Sequence, residues 1–483
     1  MPESEVVNQY AFILDAGSSG TRLYVYEWTR WSGGDSPLPE IRNPLSHKQT
    51  PGISNMVKDK ELEGAYRAAG PAAASAARAL LQSKVDEHLQ PLFEKARQFA
   101  VGAGLDSTII PLFVLGTAGI RDLLPDSERQ YNDLLSCMTQ SSRNTEFNLQ
   151  ECGAISGEAE ALYGWISSNF TLIFPSLWSS GTLASKTLGY AEMGGASAQI
   201  AFSPSRAVSE PYNGVVWKVR LGDKRFELFL GSYPLGMDKG VELYFETLIA
   251  EHLKGGSSAH MLVTDPGKPP GLVKTFRDWT LEGPIYNGET IATSTTGTPK
   301  LGPQVGLVVN KLASIIASAV NSEGPRLPSL SEFDAAIKAH DFIGGANFWY
   351  STRTLFGVDD EGKPKTTDFS FAEFRLEVFT TLSVPWDRIH EKLRHANPVY
   401  LKDAWIKAMW ANEVLTRQFR LDDGDPRNPP RLEFKPFDGY VGMELTWTMG
   451  RLVHFITGNH ATQRERDEVR GVQFRPFLDA RAA

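Results

Sequence analysis

The first feature of this sequence that could do chemistry is an acid at the end of an apolar run, followed by small residues. Tyr10-Ala-Phe-Ile-Leu14 leads into Asp15, then Ala16-Gly-Ser-Ser-Gly-Thr21 and Arg22. A turn of this kind suits phosphate. Gly17 and Gly20 let the backbone come close to the oxygens, N–H groups converge on the anion, and Ser18, Ser19 and Thr21 add hydroxyl donors. Asp15 is placed to hold a divalent ion through water, as magnesium sites often do.

A second turn repeats the pattern in Glu192-Met-Gly-Gly-Ala-Ser-Ala-Gln199. Asp15 and Glu192 are 177 residues apart, as are Gly17 and Gly194, and Ser18 and Ser19 match Gly195 and Ala196 at that spacing. Taken singly, each could be an ordinary hairpin. Two at one register point to two similar lobes, each presenting a turn to a shared cleft. A third loop, Gly116-Thr-Ala-Gly-Ile-Arg121, brings Thr117 and a guanidinium able to meet phosphate through paired hydrogen bonds. Alone, Arg121 would read as a surface cation on a helix; beside Thr117 it gains weight.

Hydrolysis needs a base for water. Ile155 to Asn169 offers Glu158 and Glu160 at the start of a helix, where a carboxylate can equally serve the helix dipole. Other phosphate and metal chemistries lack their residues. There is no G-x-x-x-x-G-K-[ST] loop, and Gly102-Ala-Gly104 is followed by Ser107 where a dinucleotide fingerprint needs glycine. The nine histidines form no H-E-x-x-H pair, and His390 and His395 are five apart, off a shared helix face.

The elements that must position these residues follow from local pattern. Tyr10–Leu14 and Arg22–Trp28 read as strands flanking the first turn. A Pro/Gly/Ser-rich loop is expected from Ser32 to Pro44, then a long helical stretch from Leu62 to about Ala100 that Pro91 divides or bends. Ile109–Leu115 reads as a buried strand entering the third loop. Ser185–Ala191 and Ile200–Phe202 flank the second turn, and Leu253 to Gly306 reads as loops. The chain has 483 residues, which at roughly 150 per domain allows about two to four domains. Its 49 basic and 57 acidic side chains give a net charge of −8, which argues against a nucleic-acid partner. Two cysteines, Cys137 and Cys152, could pair but exclude a disulfide framework. The N-terminal residues lack the pattern of a secretory signal and no stretch reads as a membrane span. A soluble protein of a reducing compartment, cytoplasmic, is therefore expected; a targeting segment outside this sequence would make it lumenal or secreted.

Four segments together carry a specific resemblance. Phe12-Ile-Leu-Asp-Ala-Gly-Ser-Ser-Gly-Thr-Arg22, Leu115-Gly-Thr-Ala-Gly-Ile-Arg121, Ile155-Ser-Gly-Glu-Ala-Glu-Ala-Leu-Tyr-Gly-Trp165 and Glu192-Met-Gly-Gly-Ala-Ser-Ala-Gln-Ile200 resemble, in order, the first four motifs of the apyrases. These are the nucleoside triphosphate diphosphohydrolases of the actin-like superfamily. Phe342–Thr352 is a looser fifth. Pro51–Ser54, Ser232–Asp238 and Glu444–Gly450 also resemble family segments, so the likeness spans nearly the whole chain. It implies that Glu160, five residues before Trp165, is the catalytic base, and that Ser197 and Gln199 position the attacking water. Ser18, Ser19, Gly20, Thr21, Arg22, Thr117, Arg121 and the backbone of Gly194, Gly195 and Ala196 would grip phosphate. Asp15 and Glu192 would hold Ca2+ or Mg2+ through water. Tyr350 and Trp447 would lie near the nucleobase, with core packing as the competing explanation.

The departures are Glu192 for a common Asp, Gly20 for a His of cell-surface members, Ala161 for a Gly, and no cysteine at Asp265–Gly267 or Lys300–Gly302. The expected fold is α/β, two ribonuclease-H-like (actin-like) lobes with an interlobe cleft: residues 1–165, residues 166–439, and a segment 440–483 returning to the first lobe. The expected reaction is metal-dependent hydrolysis of the terminal phosphate of nucleoside di- or triphosphates. An exopolyphosphatase and a non-catalytic nucleotide binder are the alternatives; oligomeric state is left open.

Overall fold

The computed structural model describes residues 8–29, 38–68, 70–124, 127–175, 187–204, 216–222, 224–255, 261–284, 291–293, 299–301, 303–322, 337, 340–356, 370–421, 432–434 and 446–458. The chain divides into two compact units. One comprises Met1–Thr187, Trp217–Leu228 and Asp438–Ala483; the other comprises Leu188–Val216 and Phe229–Phe437. Trp165 stands inside the helix Gly157–Leu172, and the first unit runs on past it to Thr187. Tyr440 and Glu444 lie outside the described residues.

The first unit is built on five strands: β1 (Asn8–Ala16), β2 (Thr21–Thr29), β3 (Ile41–Gln49), β4 (Pro111–Gly116) and β5 (Asn148–Ala154), in the order β3-β2-β1-β4-β5. β1 pairs antiparallel with β2 and parallel with β4. Its run from Ala11 to Leu14 is fully buried, because both faces of a central strand are covered. Phe12, Leu14 and Ala16 join a core with Leu81, Val85 and Leu89 of the helix Pro71–Gly102.

Two sequence expectations are corrected here. The helical stretch divides at Gly70–Pro71, not at Pro91: α1 (Lys60–Arg67) ends early, and α2 (Pro71–Gly102) continues through Pro91. Proline is well placed in a first helical turn, where its missing N–H has no partner to lose. The buried stripe of α2, which continues through Leu89, Leu92, Phe93 and Ala96, carries the helix past Pro91. The loop expected up to Pro44 ends earlier, since Ile41 already begins β3. Pro44 is tolerated because β3 is an edge strand and the pairing shifts register between Val25 and Glu27.

Helices α3 (Ala118–Arg121), α4 (Glu128–Arg143) and α5 (Gly157–Leu172) complete this part of the unit. α5 is buried on nearly every side, because the C-terminal helix Trp447–Gly458 lies against it. The two backbones meet at Gly450, where a Cβ would stand 1.8 Å from the Tyr163 carbonyl oxygen. Nearby, Arg451 donates from Nη2 and Nε to one oxygen of Glu151, at 2.6 and 2.9 Å. Cys137 and Cys152 are both free thiols, so the pairing left open by the sequence is not made.

The second unit repeats the first sheet. β6 (Gly189–Met193) and β7 (Ala198–Phe202) form an antiparallel hairpin. Residues Trp217–Leu228, with most of β8 (Val216–Leu221) and the first half of β9 (Lys224–Tyr233), count with the first unit, and the Phe229–Tyr233 half of β9 pairs with β7. Leu253 to Gly306 is not simply loop. It holds a small sheet of β10 (Leu262–Thr264), β11 (Val273–Phe276) and β12 (Trp279–Glu282), and a pair of β13 (Ile291–Thr293) with β14 (Pro299–Leu301). β15 (Phe342–Ala346) lies parallel to β6 and to β16 (Leu432–Phe434). The order β9-β7-β6-β15-β16 therefore reproduces β3-β2-β1-β4-β5 strand for strand. Helices α6 (Met237–Lys254), α7 (Pro303–Ser322) and α8 (Asn347–Phe356) belong to this unit. At Asp265, Lys268 is buried and reaches the carboxylates of Asp265 at 3.7 Å and Asp403 at 3.5 Å. Among the described residues no helix is long and apolar enough to cross a membrane.

The contact at Gly450 yields a stability prediction. Gly450→Ala forces α5 and the C-terminal helix apart and should cost about 1–3 kcal/mol, as overpacking does. Denaturant unfolding followed by circular dichroism would show it as a lower midpoint; an unchanged midpoint would contradict this packing.

Candidate active site

The first turn closes when the Gly17 N–H donates to the Gly20 carbonyl at 3.1 Å. It is pressed from two sides. A Cβ on Gly52, at the mouth of the short helical turn Ile53–Lys58, would stand 2.3 Å from the Ser18 carbonyl oxygen. A Cβ on Gly119, in α3, would stand 2.8 Å from Ser18 Cα. Asn55 Nδ2 donates to the Ser18 carbonyl at 3.2 Å, and the Thr117 N–H donates to Ala16 at 3.4 Å. Glycine is required at both close approaches because no side chain fits between the backbones.

The second turn is made the same way. The Gly194 N–H donates to the Ser197 carbonyl at 2.9 Å, the same bond 177 residues on. Behind it, Gly236 plays the part of Gly52: a Cβ there would stand 2.2 Å from the Ala196 carbonyl carbon. N–H groups of Gly236, Met237, Asp238 and Lys239, at the start of α6, donate to the carbonyls of Ala196, Gly194, Gly195 and Gly195 at 2.9–3.1 Å. Asn347 Nδ2, at the start of α8, donates to the Met193 carbonyl at 2.9 Å, where the first unit uses Thr117 on Ala16. The carbonyls of Ser18, Gly195 and Ala196 are engaged, and the N–H groups of Ser18, Ser19, Gly195 and Ala196 donate to no backbone carbonyl among the described residues. N–H groups left without a backbone partner in a tight turn are the kind that can form an anion-binding nest.

The acids sit at matching places. Asp15 lies one residue before the end of β1, opposite Arg22, whose Nη1 lies 3.8 Å from its carboxylate. Glu192 stands opposite Gln199 and accepts from the Tyr190 hydroxyl. Gln199 Nε2 donates to Ser197 Oγ at 2.6 Å and to Ser232 Oγ at 3.2 Å, so the two water-positioning candidates are mutually oriented. Among the described residues no three His, Cys, Asp or Glu gather as a metal cage. Each turn carries one carboxylate, and a hydrated divalent cation needs few protein ligands.

Glu160 lies in the first turn of α5, whose N-cap Ser156 accepts from the Ala159 N–H. It is only 7% exposed, while Glu158 is half-buried. Burial pushes the Glu160 carboxyl above its ordinary value, Arg121 pulls it back, and Asp122 adds to the push. Arg121 Nη2 donates to Glu160 at 3.0 Å and Nη1 to the Ile155 carbonyl at 2.8 Å. The residue expected to meet phosphate is thus turned to the candidate base.

Two further expectations change. Thr21 is 0% exposed and its hydroxyl pairs with His88 Nε2 at 2.9 Å, beneath the turn. Strand alternation sends its side chain to the α2 face of the sheet. Burial also holds His88 below the usual histidine range. Trp447 is 4% exposed and belongs to the packing of the first unit, so its ring is not offered to a nucleobase; Tyr350, on α8, is 56% exposed. In the sequence, Gly52, Gly119, Gly236 and His88 carry no local sign of these contacts, and Pro51–Ser54 and Ser232–Asp238 show only a likeness to family segments.

A ribonuclease-H-like sheet present twice, each copy with an acid and a glycine-rich turn near the end of its first strand, defines an actin-like fold. The chain belongs to the GDA1/CD39 (nucleoside phosphatase) family, which it matches over residues 2–467, and is an enzyme of that class. It is 27% identical to "Nucleoside-diphosphatase mig-23" of Caenorhabditis briggsae, over 92% of this chain and 77% of that one. It is 24% identical to "Golgi apyrase" of Schizosaccharomyces pombe, over 94% and 76%. The crystal structure of nucleoside triphosphate hydrolases from Neospora caninum has the same fold, with a TM-score of 0.59 at 13% identity, covering 96% of this chain and 95% of that one.

The placement of Thr21 makes a test. Thr21→Val should leave phosphate release near wild type and cost about 1–3 kcal/mol of stability, by stranding buried His88. A collapse of turnover in a folded Thr21→Val protein would return that hydroxyl to the phosphate grip.

Proposed function

We propose that the chain hydrolyses the terminal phosphate of nucleoside di- and triphosphates by direct attack of water, with Glu160 as base. The observation that carries this reading is the buried Glu160–Arg121 pair. An isolated carboxylate in that position would hold its proton and could accept none. Burial raises the Glu160 carboxyl and so strengthens it as a base, while Arg121 favours the anion that accepts the proton.

Ser197 and Gln199 orient the water. Ser197 Oγ accepts from Gln199, which leaves the serine hydrogen to be given to the water oxygen. Glu160 takes a proton as the water oxygen bonds to phosphorus. The bond from phosphorus to the bridging oxygen breaks, and the shortened nucleotide leaves with that electron pair. No covalent enzyme intermediate is required. The nests at Ser18–Ser19 and Gly195–Ala196 bind the charge that develops on the phosphoryl oxygens. Asp15 and Glu192 would hold a divalent cation, which when bound neutralises polyphosphate charge. Tyr350 is the aromatic offered to the base. The name of the fission-yeast relative supports a lumenal setting over the cytoplasmic one expected from the cysteine count.

Phosphate release from nucleoside di- and triphosphates and from inorganic polyphosphate, with calcium, magnesium or chelator, tests the reading. Activity on polyphosphate alone, or activity indifferent to chelation, would contradict it. Glu160→Gln should lower turnover by about 10²–10⁴-fold; near wild-type turnover would remove Glu160 from the role. Turnover should fall as pH drops through the Glu160 pKa, and this acid limb should lie above the ordinary glutamate range because the pKa is raised. Removing the cation in Arg121→Met should raise that pKa and move the limb to higher pH; an unmoved limb would mean that Arg121 does not act on Glu160.

A further inference from the structure

The edge of the first sheet carries a cation that the mechanism above does not use. Lys48 of β3 stands opposite Arg22 of β2, and Arg22 stands opposite Asp15 of β1. Directly opposed residues share a face of a sheet. Carboxylate, guanidinium and ammonium therefore form one row across the strand ends where the first turn begins. Two cations share one carboxylate in this row. Arg22 approaches Asp15 at 3.8 Å, and among the described residues no carboxylate lies within ion-pair distance of exposed Lys48.

The Lys48 stem lies across Gly20. A Cβ at Gly20 would stand 2.6 Å from Lys48 Cε and 3.4 Å from its Cγ, as well as 2.9 Å from the Gln49 carbonyl oxygen. Lys48 thus fills the space that a side chain at position 20 would take, and its ammonium, one bond beyond Cε, is carried to the phosphate turn. A surplus positive charge beside a nest of N–H groups is suited to a polyanion.

We infer that Lys48 is a phosphate-binding residue, contacting the polyphosphate of the nucleotide, and that it reaches the turn because residue 20 is glycine. This rests on the nucleotide reading of the same site. As a point charge, the ammonium would bind substrate and transition state alike, so its removal should appear in KM more than in kcat.

Steady-state kinetics of the full chain, with a nucleoside diphosphate and a triphosphate in the presence of divalent cation, tests this. Lys48→Met should raise KM about tenfold, the scale of one charged hydrogen bond, with kcat little changed. Lys48→Arg should restore most of the loss, and the difference from wild type should shrink at high salt. Gly20→Ala should raise KM in the wild-type background, yet add little to Lys48→Met if it acts by displacing Lys48. An unchanged KM for Lys48→Met on both substrates, in an active and folded protein, overturns the inference. A wild-type protein that binds nucleotide without hydrolysing it would instead overturn the catalytic reading. Lys48 would then be read from the equilibrium Kd, which Lys48→Met should weaken by the same factor; an unweakened Kd overturns the inference there too.

Discussion

Each candidate phosphate site depends on a close approach of two backbones that only glycine permits. Gly52 lies against the carbonyl of Ser18, and Gly236 lies against Ala196, at distances that leave no room for a Cβ. In the second turn, these approaches bring the start of α6 within hydrogen-bond reach of three carbonyls. With the carbonyl edge engaged, the N–H edge is the one left for an anion. A nest held this way needs little rearrangement on binding, which is what makes fixed dipoles effective in stabilising developing charge.

The doubled sheet explains why two turns of unlike sequence are alike in construction. The hairpin pairing, the closing bond from Gly17 to Gly20 and from Gly194 to Ser197, and the parallel fourth strand recur in both units. Where the side chains differ, the role of the contact is kept by other atoms: a backbone N–H of Thr117 in one unit, the Asn347 amide in the other. The units then diverge in their chemistry. The first holds the buried pair of Glu160 and Arg121, and the second holds the Ser197–Gln199 pair beside Glu192.

The features legible in the sequence were those carried by short contiguous patterns. The Asp15 turn, its repeat at Glu192 and the helix start at Glu158–Glu160 each lie within a dozen residues, and strand-turn-strand or helix-cap patterns need no partner from elsewhere. The parts that were not legible depend on contacts between distant residues. Arg121 has ordinary credentials as a phosphate ligand, and only the fold brings it to Glu160, 39 residues away. The Thr21 hydroxyl faces His88 because of strand phase and the course of α2, 67 residues on. Pro91 and Pro44 misled for a related reason. A well-buried helix stripe and an edge strand each tolerate a residue that local rules would exclude. The small strands between Leu262 and Leu301 are short segments in a Gly/Pro-rich stretch, where periodicity has too few residues to register.

The central claim is that each glycine-backed nest binds phosphate. Equilibrium binding of a non-hydrolysable nucleoside triphosphate analogue, with divalent cation, to wild type, Gly52→Ala and Gly236→Ala tests it most directly. In proteins whose circular dichroism shows the native secondary structure, each substitution should weaken binding by at least about tenfold, the scale of one lost charged hydrogen bond. Wild-type affinity in either variant would contradict the account.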